Sequence, residues 1–279
     1  MHNPQFFEFH AQEEARAMTY PDLRDKVVLI TGGAGGIGKA TAAAFLAEGS
    51  KVAIVDISTD GLAEAAADLG VGDGRLITLT ADVSREDDVK AYAQATVEAF
   101  GTVDVFFNNA GIAGKLAPIV ELDAEIFDRV LAINVRGAFL GLKHVLPIMY
   151  AKKSGSVINT SSIGGLASGP GLGSTSYVTS KFAITGMTRL TAMESAAHRV
   201  RVNSVHPGLT DTQLLRTTEA MLTDEGGDVD ATRAAMESGV PLGRVGEPAE
   251  IADMVLFLAS DASSFVTGSQ FRVDGGALT

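Results

Sequence analysis

Tyr177 and Lys181 are the residues whose types and spacing are best suited to chemistry. On a helix, one turn separates them and both side chains share a face. A free phenol titrates near pH ~10 and is a poor base at neutral pH. An ammonium beside it stabilises the phenolate and lowers that value. Tyr177 could then take a proton from an alcohol, or return one to a ketone oxygen, with Lys181 lowering its pKa. The pair alone is weak evidence. With four Tyr and nine Lys in 279 residues, chance supplies such a pair in roughly one sequence in eight. The competing reading is an exposed pair on a solvated helix.

Other polar residues could complete a site. Ser161 and Ser162 follow a short apolar run, and a hydroxyl there could bond the substrate oxygen and align it with Tyr177. Ser162 is the preferred residue and Ser161 the fallback. Asn134 stands between Ile133 and Val135 in a long helical stretch. It either satisfies a helix kink or holds a water that relays protons to Lys181. Pro207, Gly208, Thr210 and Thr212 follow another apolar run, where N–H and hydroxyl groups could seat a carboxamide. His206, beside Pro207, reads as structural rather than catalytic.

A redox partner is written upstream. Residues 31–38 read TGGAGGIG between an apolar run and a helical one. Gly32, Gly35, Gly36, Ile37 and Gly38 would let the backbone turn tightly and approach a dinucleotide pyrophosphate at a helix N-terminus. Asp56 ends the next apolar run, where a carboxylate can accept from both ribose hydroxyls and would repel a 2′-phosphate. No Arg or Lys occupies 57–60, so NAD is favoured over NADP. Asp82, followed by Val83, could take an adenine amino group or cap the next helix. Asn109, Ala110 and Gly111 would let the chain lie against the cofactor, or form a simple turn. Lys181 would also hold the nicotinamide ribose.

Seven short apolar runs could position these groups as strands, at 26–31, 51–56, 75–79, 103–107, 156–159, 201–205 and 270–273. Helical patterns lie between them at 36–48, 60–69, 85–100, 124–150, 175–197 and 248–259, the fourth with interruptions near Pro118 and Gly137. Alternation of this kind implies a doubly wound parallel sheet, α/β and Rossmann-type. Residues 163–176 and 211–240 read as loops. In a compact domain, long loops tend to be functional lids. The organisation expected is an arm over 1–24 and a single domain over 25–279.

Composition narrows the partners. A net charge of −12 argues against nucleic acid and against anionic membranes. The first residues lack the basic start and apolar run of a signal peptide, and no segment is apolar enough to span a bilayer. No cysteine is present, which excludes a thiolate metal site and is compatible with a reducing cytoplasm. The five His are scattered without ligand spacing, so no metal is expected.

In this order the motifs resemble the short-chain dehydrogenase/reductase family in its short single-domain form. The resemblance runs from about Lys26 to Gly276 and includes Asn108 to Gly111 (NNAG) and Val273 to Gly276 (VDGG). It implies a tetrad of Asn134, Ser162, Tyr177 and Lys181, hydride transfer at nicotinamide, and a homotetramer with the two long helices buried between subunits. The interval from Ser162 to Tyr177 is slightly long for the family, and Thr210 stands where an apolar residue is common.

The substrate expected is a small apolar secondary alcohol or ketone. Gly164, Gly165, Leu166, Leu172, Leu209 and Leu214, with Leu215, Met221 and Leu222, are the expected walls. Competing readings are a carrier-linked 3-oxoacyl reductase, a nucleotide-sugar epimerase and a non-catalytic NAD-binding regulator. The last would keep the glycine loop without needing the tetrad.

Overall fold

A computed structural model describes residues 20–70, 72, 74–168, 174–223 and 227–279. Most of the expected arm, and Leu172 and Gly226 in the expected loops, lie outside these residues. The described part of the arm is docked. Leu23, in a short 3₁₀ turn, is 1% exposed, and the Tyr20 amide donates to the Glu48 carboxylate at 2.8 Å.

Seven parallel strands form one sheet in the order β3-β2-β1-β4-β5-β6-β7. They are β1 Val27–Thr31, β2 Lys51–Asp56, β3 Leu76–Thr80, β4 Val105–Asn108, β5 Gly155–Thr160, β6 Val200–Pro207 and β7 Gln270–Val273. The central strands are buried on both faces, which is why VVLIT and VFFN read as unbroken apolar runs. Helices α1 (Gly36–Ala47) and α9 (Pro248–Ala259) pack on one face, around Phe45, Ile30 and Ile251. Helices α3 (Glu86–Phe100) and α5 (Gly137–Lys152) cover the other, around Leu29, Phe106 and Met149. Helix α2 (Thr59–Leu69) links β2 to β3.

Strand order reverses between β1 and β4. Connections on either side of that point run to opposite faces and leave a crevice at the carboxyl ends of the strands. Functional residues expected at strand ends are gathered there.

Two expectations need correction. The long helix at 124–150 is α4 (Ala124–Leu131) and α5 joined by a π-helical segment, Ala132–Arg136, that carries Asn134. The turns continue but one is widened, so the interruption is a bulge rather than a break. The stretch at 211–240 is not a loop. It contains α7 (Gln213–Leu222) and α8 (Val229–Ser238), capped by the side chains of Thr212 and Asp228. Helix α8 buries no residue, so it carries little of the apolar stripe that marks a helix in sequence. Helix α6 (Thr175–Ser195) follows the expected course.

Candidate active site

A cleft of about 400 Å³ opens at the crevice. At one end its wall is backbone. Gly32 (φ +68°) and Gly36 (φ +49°) adopt left-handed conformations that let the chain turn out of β1 into α1. A Cβ on Gly38 would lie 2.0 Å from the Gly32 carbonyl oxygen, so this glycine allows the turn to close on itself. A Cβ on Gly35 would meet no chain atom within 4 Å, and Gly35 lines the cleft. Gly35 therefore leaves space for a guest, whereas Gly38 leaves space for the fold.

Asp56 also lines the cleft. Its carboxylate accepts from the amides of Ala34 and Ser58, each at 3.2 Å, which aims it at the cleft mouth. The Thr31 hydroxyl accepts from the amides of Asn109 (3.0 Å) and Ala110 (3.1 Å) and thereby joins the ends of β1 and β4. Ile37, Ala110, Gly111, Pro207, Gly208 and Thr210 line the same cleft, as does Thr212. Gly38, Asp82 and Val83 are not part of its lining. Asp82 accepts from the Ser84 amide (2.9 Å) and hydroxyl (2.7 Å), shaping the turn before α3, and Val83 packs in the core.

At the centre, the Ser174 hydroxyl caps α6 by accepting from the Tyr177 amide, so Tyr177 lies in the first turn and Lys181 one turn deeper. The Lys181 ammonium is 5.4 Å from the Tyr177 ring centroid and donates to the Thr160 carbonyl at 2.9 Å. It is 4% exposed, and burial pushes its pKa down to about 8. For Tyr177, burial raises the phenol's pKa and a hydrogen bond with Ser162 lowers it. The net direction is up, and the hydrogen bond with Ser162 opposes the effect of burial.

Ser162 accepts from the Gly164 amide at 3.1 Å, which leaves its proton free to donate. Ser161 points away: its hydroxyl bonds the Lys181 carbonyl at 2.9 Å and Thr185 at 3.2 Å. Asn134 does not line the cleft. Its carboxamide accepts from the Ile112 amide (2.9 Å) and donates to the Ile112 carbonyl (2.9 Å) and the Ser180 hydroxyl (3.0 Å). It stitches the π segment to the loop after β4 and to α6. Its side chain is thus committed to the bulge and to the walls that flank Lys181.

The far end is apolar. Leu209, Leu214, Leu215 and Met221 line it as expected, whereas Gly164, Gly165, Leu166 and Leu222 do not. Leu116, Ile163 and Met236 line it without having been expected. Met236 had no usable signal, because its segment reads as loop. Among the described residues of the lining, Asp56 and Lys181 alone carry a charge. No group of three His, Asp or Glu suited to a metal occurs among the described residues.

Comparison with known proteins agrees with this architecture. Residues 32–278 match the family described as enoyl-(acyl carrier protein) reductase. Levodione reductase of Leifsonia aquatica is 44% identical over 258 residues, covering 90% of this chain and 94% of that one. Cyclohexanol dehydrogenase of Acinetobacter sp. is 36% identical over 253 residues, covering 91% and 95%. The solved structure of NAD⁺-bound xylitol dehydrogenase superposes with a TM-score of 0.83 at 34% identity, covering 91% of this chain and 99% of that one. The chain belongs to the short-chain dehydrogenase/reductase family. It is an oxidoreductase of the short-chain type.

Proposed function

We propose that Tyr177, Lys181 and Ser162 interconvert an uncharged ring alcohol and its ketone, with NAD as the redox partner. The chain is an NAD-dependent oxidoreductase that interconverts a secondary alcohol and a ketone by hydride exchange with the nicotinamide. One observation carries the residue assignment: Tyr177, Lys181 and Ser162 converge on a cleft whose other end is a glycine cradle edged by Asp56.

The cradle fits a dinucleotide. Gly35 leaves open space where a Cβ would intrude, and the α1 N-terminus faces that space. Asp56 would accept from the adenosine ribose hydroxyls and disfavour a 2′-phosphate. Gly208, Thr210 and Thr212 would bound the nicotinamide side. Asp82 and Val83 would bound the adenine side, and Gly38 would support the cradle from behind. Bound NAD supplies the hydride acceptor, and its reduced form the donor.

The Ser162 hydroxyl donates to the substrate oxygen and fixes it beside the Tyr177 phenol. Tyr177 accepts the alcohol proton in oxidation and gives it back in reduction. Lys181 remains largely protonated at neutral pH, since its pKa is held near 8, and its charge favours the phenolate. Asn134 ties the loop after β4 to α6, the helix that carries Lys181. The apolar, uncharged far end suits a small neutral ring. The similarity to cyclohexanol dehydrogenase of Acinetobacter sp. supports that choice. A carrier-linked oxoacyl reductase is the second reading, favoured by 38% identity to the 3-oxoacyl-[acyl-carrier-protein] reductase of Thermotoga maritima.

The test is turnover of cyclohexanol and a carrier-linked 3-oxoacyl thioester with NAD(H) and NADP(H), followed by nicotinamide absorbance. Higher kcat/KM for cyclohexanol with NAD supports the first reading, and higher kcat/KM for the thioester overturns it. Tyr177→Phe should lower kcat by about 10²- to 10⁴-fold with NADH affinity retained. Unchanged turnover would remove Tyr177 from the mechanism.

Exposed apolar residues on α5 and α6, among them Phe139 (50%) and Met193 (77%), support a homotetramer in which copies of this chain cover that face. Sedimentation equilibrium measures it. We assign the protein to the cytoplasm, since a chain without cysteine depends on no disulfide. No helix among the described residues is long and apolar enough to cross a membrane.

A further inference from the structure

We infer that His206 is a positioning residue for Ser162, holding that residue's main chain so that its hydroxyl faces Tyr177. The inference rests on the proposed role of Ser162. His206 lies near the end of β6 and is fully buried. Both ring nitrogens are engaged: Nδ1 is 2.8 Å from the Ser162 carbonyl oxygen and Nε2 is 2.8 Å from the Ser204 hydroxyl. A carbonyl can only accept, so Nδ1 carries a proton. Burial, aided by the charges of Lys181 and Arg189, pushes the ring's pKa down to about 4, and the Ser162 carbonyl opposes the shift. The ring is therefore neutral at pH 7, Nε2 accepts, and Ser204 donates. With the ring neutral, donation runs from Ser204 to His206 to Ser162.

The Ser162 carbonyl takes a second donor, the Gly165 amide at 2.9 Å, which closes the 3₁₀ turn Ile163–Gly165. That bond is local and moves with the turn. The His206 bond is the side-chain tie from the turn to β6, beside the main-chain bond from the Ser161 amide to the Val205 carbonyl at 2.9 Å. The Ser162 hydroxyl is fixed within the turn by the Gly164 amide, so hydroxyl and turn move together. A shift of the turn on the sheet therefore carries the hydroxyl away from Tyr177. Misplacement on the ångström scale costs on the order of a hundredfold in rate.

His206→Leu keeps the bulk and removes the donor. It should lower kcat by roughly ten- to a hundredfold while NADH affinity, measured by fluorescence titration, stays within about twofold. That split separates the role from a disturbance of the neighbouring Pro207 and Gly208. His206→Asn offers a carboxamide N–H in place of Nδ1 and should recover most of the loss. In a Ser162→Ala background, His206→Leu should cost less than about twofold more, because residues acting through one another are not additive. Equal loss in both backgrounds, or a folded Asn variant no better than Leu, overturns the inference. A readout independent of turnover is the ¹⁵N spectrum of the wild-type ring at pH 7. An Nδ1–H neutral tautomer is expected, and an Nε2–H or doubly protonated ring overturns the inference. Failure of the wild type to oxidise any alcohol would instead count against the proposed function.

Discussion

The glycine end of the cleft is walled by backbone from one continuous stretch, β1 through the start of α1, with Asp56 from the next strand. The apolar end is walled by side chains from places far apart, Leu116 after β4, Leu214 on α7 and Met236 on α8. Backbone walls demand glycine, because any Cβ would fill either the turn or the guest's space. Side-chain walls demand only bulk and apolarity, which many residues supply. The first end should therefore break sharply under single substitutions and the second should yield gradually.

The sharpest break is expected within the glycine cradle, where two kinds of glycine separate. Gly38→Ala gains roughly 1 kcal/mol of helix propensity. It also places a Cβ 2.0 Å from the Gly32 carbonyl, an overlap that the helix gain does not offset. The expected outcome is a lowered thermal midpoint together with lost NADH binding. Gly35→Ala meets no chain atom within 4 Å, and its backbone is extended (φ −160°), so the fold is expected to stay intact. NADH affinity should nevertheless fall by tenfold or more, on the order of 1.4 kcal/mol. Calorimetry beside fluorescence titration separates the two. Equal thermal midpoints for both variants would erase the distinction between a glycine for the fold and one for the guest.

A smaller effect is expected at the edge of the same end. Ile57 follows Asp56 and is 69% exposed, so a longer cationic side chain fits there without repacking. Asp56→Ser with Ile57→Arg removes a repulsion and adds an attraction for a 2′-phosphate. The ratio of kcat/KM for NADP over NAD should rise on the order of a hundredfold, from Coulomb terms of a few kcal/mol at a partly screened site. A ratio that stays put would show that ribose recognition lies elsewhere than Asp56.

The same contrast explains what could be read from the sequence. Gly32 to Gly38 and Asp56 announce themselves, because their types are dictated by close approach and charge. The seven strands were legible because buried parallel strands are unbroken apolar runs. Tyr177 and Lys181 were legible through helical spacing. The link from His206 to Ser162 was not, since residues 44 apart in sequence meet only because β5 and β6 pair. Thr31 carries no signal of its own in the sequence, although its hydroxyl binds two amides, because a Thr at a strand end is common. Helix α8 has little apolar stripe because it buries no residue, whereas α7 carries Leu214, Leu215, Met221 and Leu222 within a segment whose acidic residues and glycines read as loop.

Met236 offers the gentlest test, at the apolar end. Helix α8 buries no residue; the Thr223 hydroxyl donates to Thr232 at 2.9 Å, and the Arg233 guanidinium lies 3.4 Å from Glu219 on α7 and 3.5 Å from Asp211. Long contacts of this kind hold a surface helix loosely, so α8 can adjust to a shortened side chain. Full burial of a Met is worth about 1.5–3 kcal/mol, and Met236 is only partly buried and only partly in contact with a guest. Met236→Ala should therefore raise KM for a six-membered ring alcohol about three- to tenfold. Its kcat and NADH affinity should hardly move, because neither the proton-transfer groups nor the cradle touches α8. A bulkier alkyl-substituted ring should lose less than cyclohexanol, since the vacated volume admits it. If KM is unchanged for both rings, the substrate stops short of α8 and the apolar end begins at Leu214 instead.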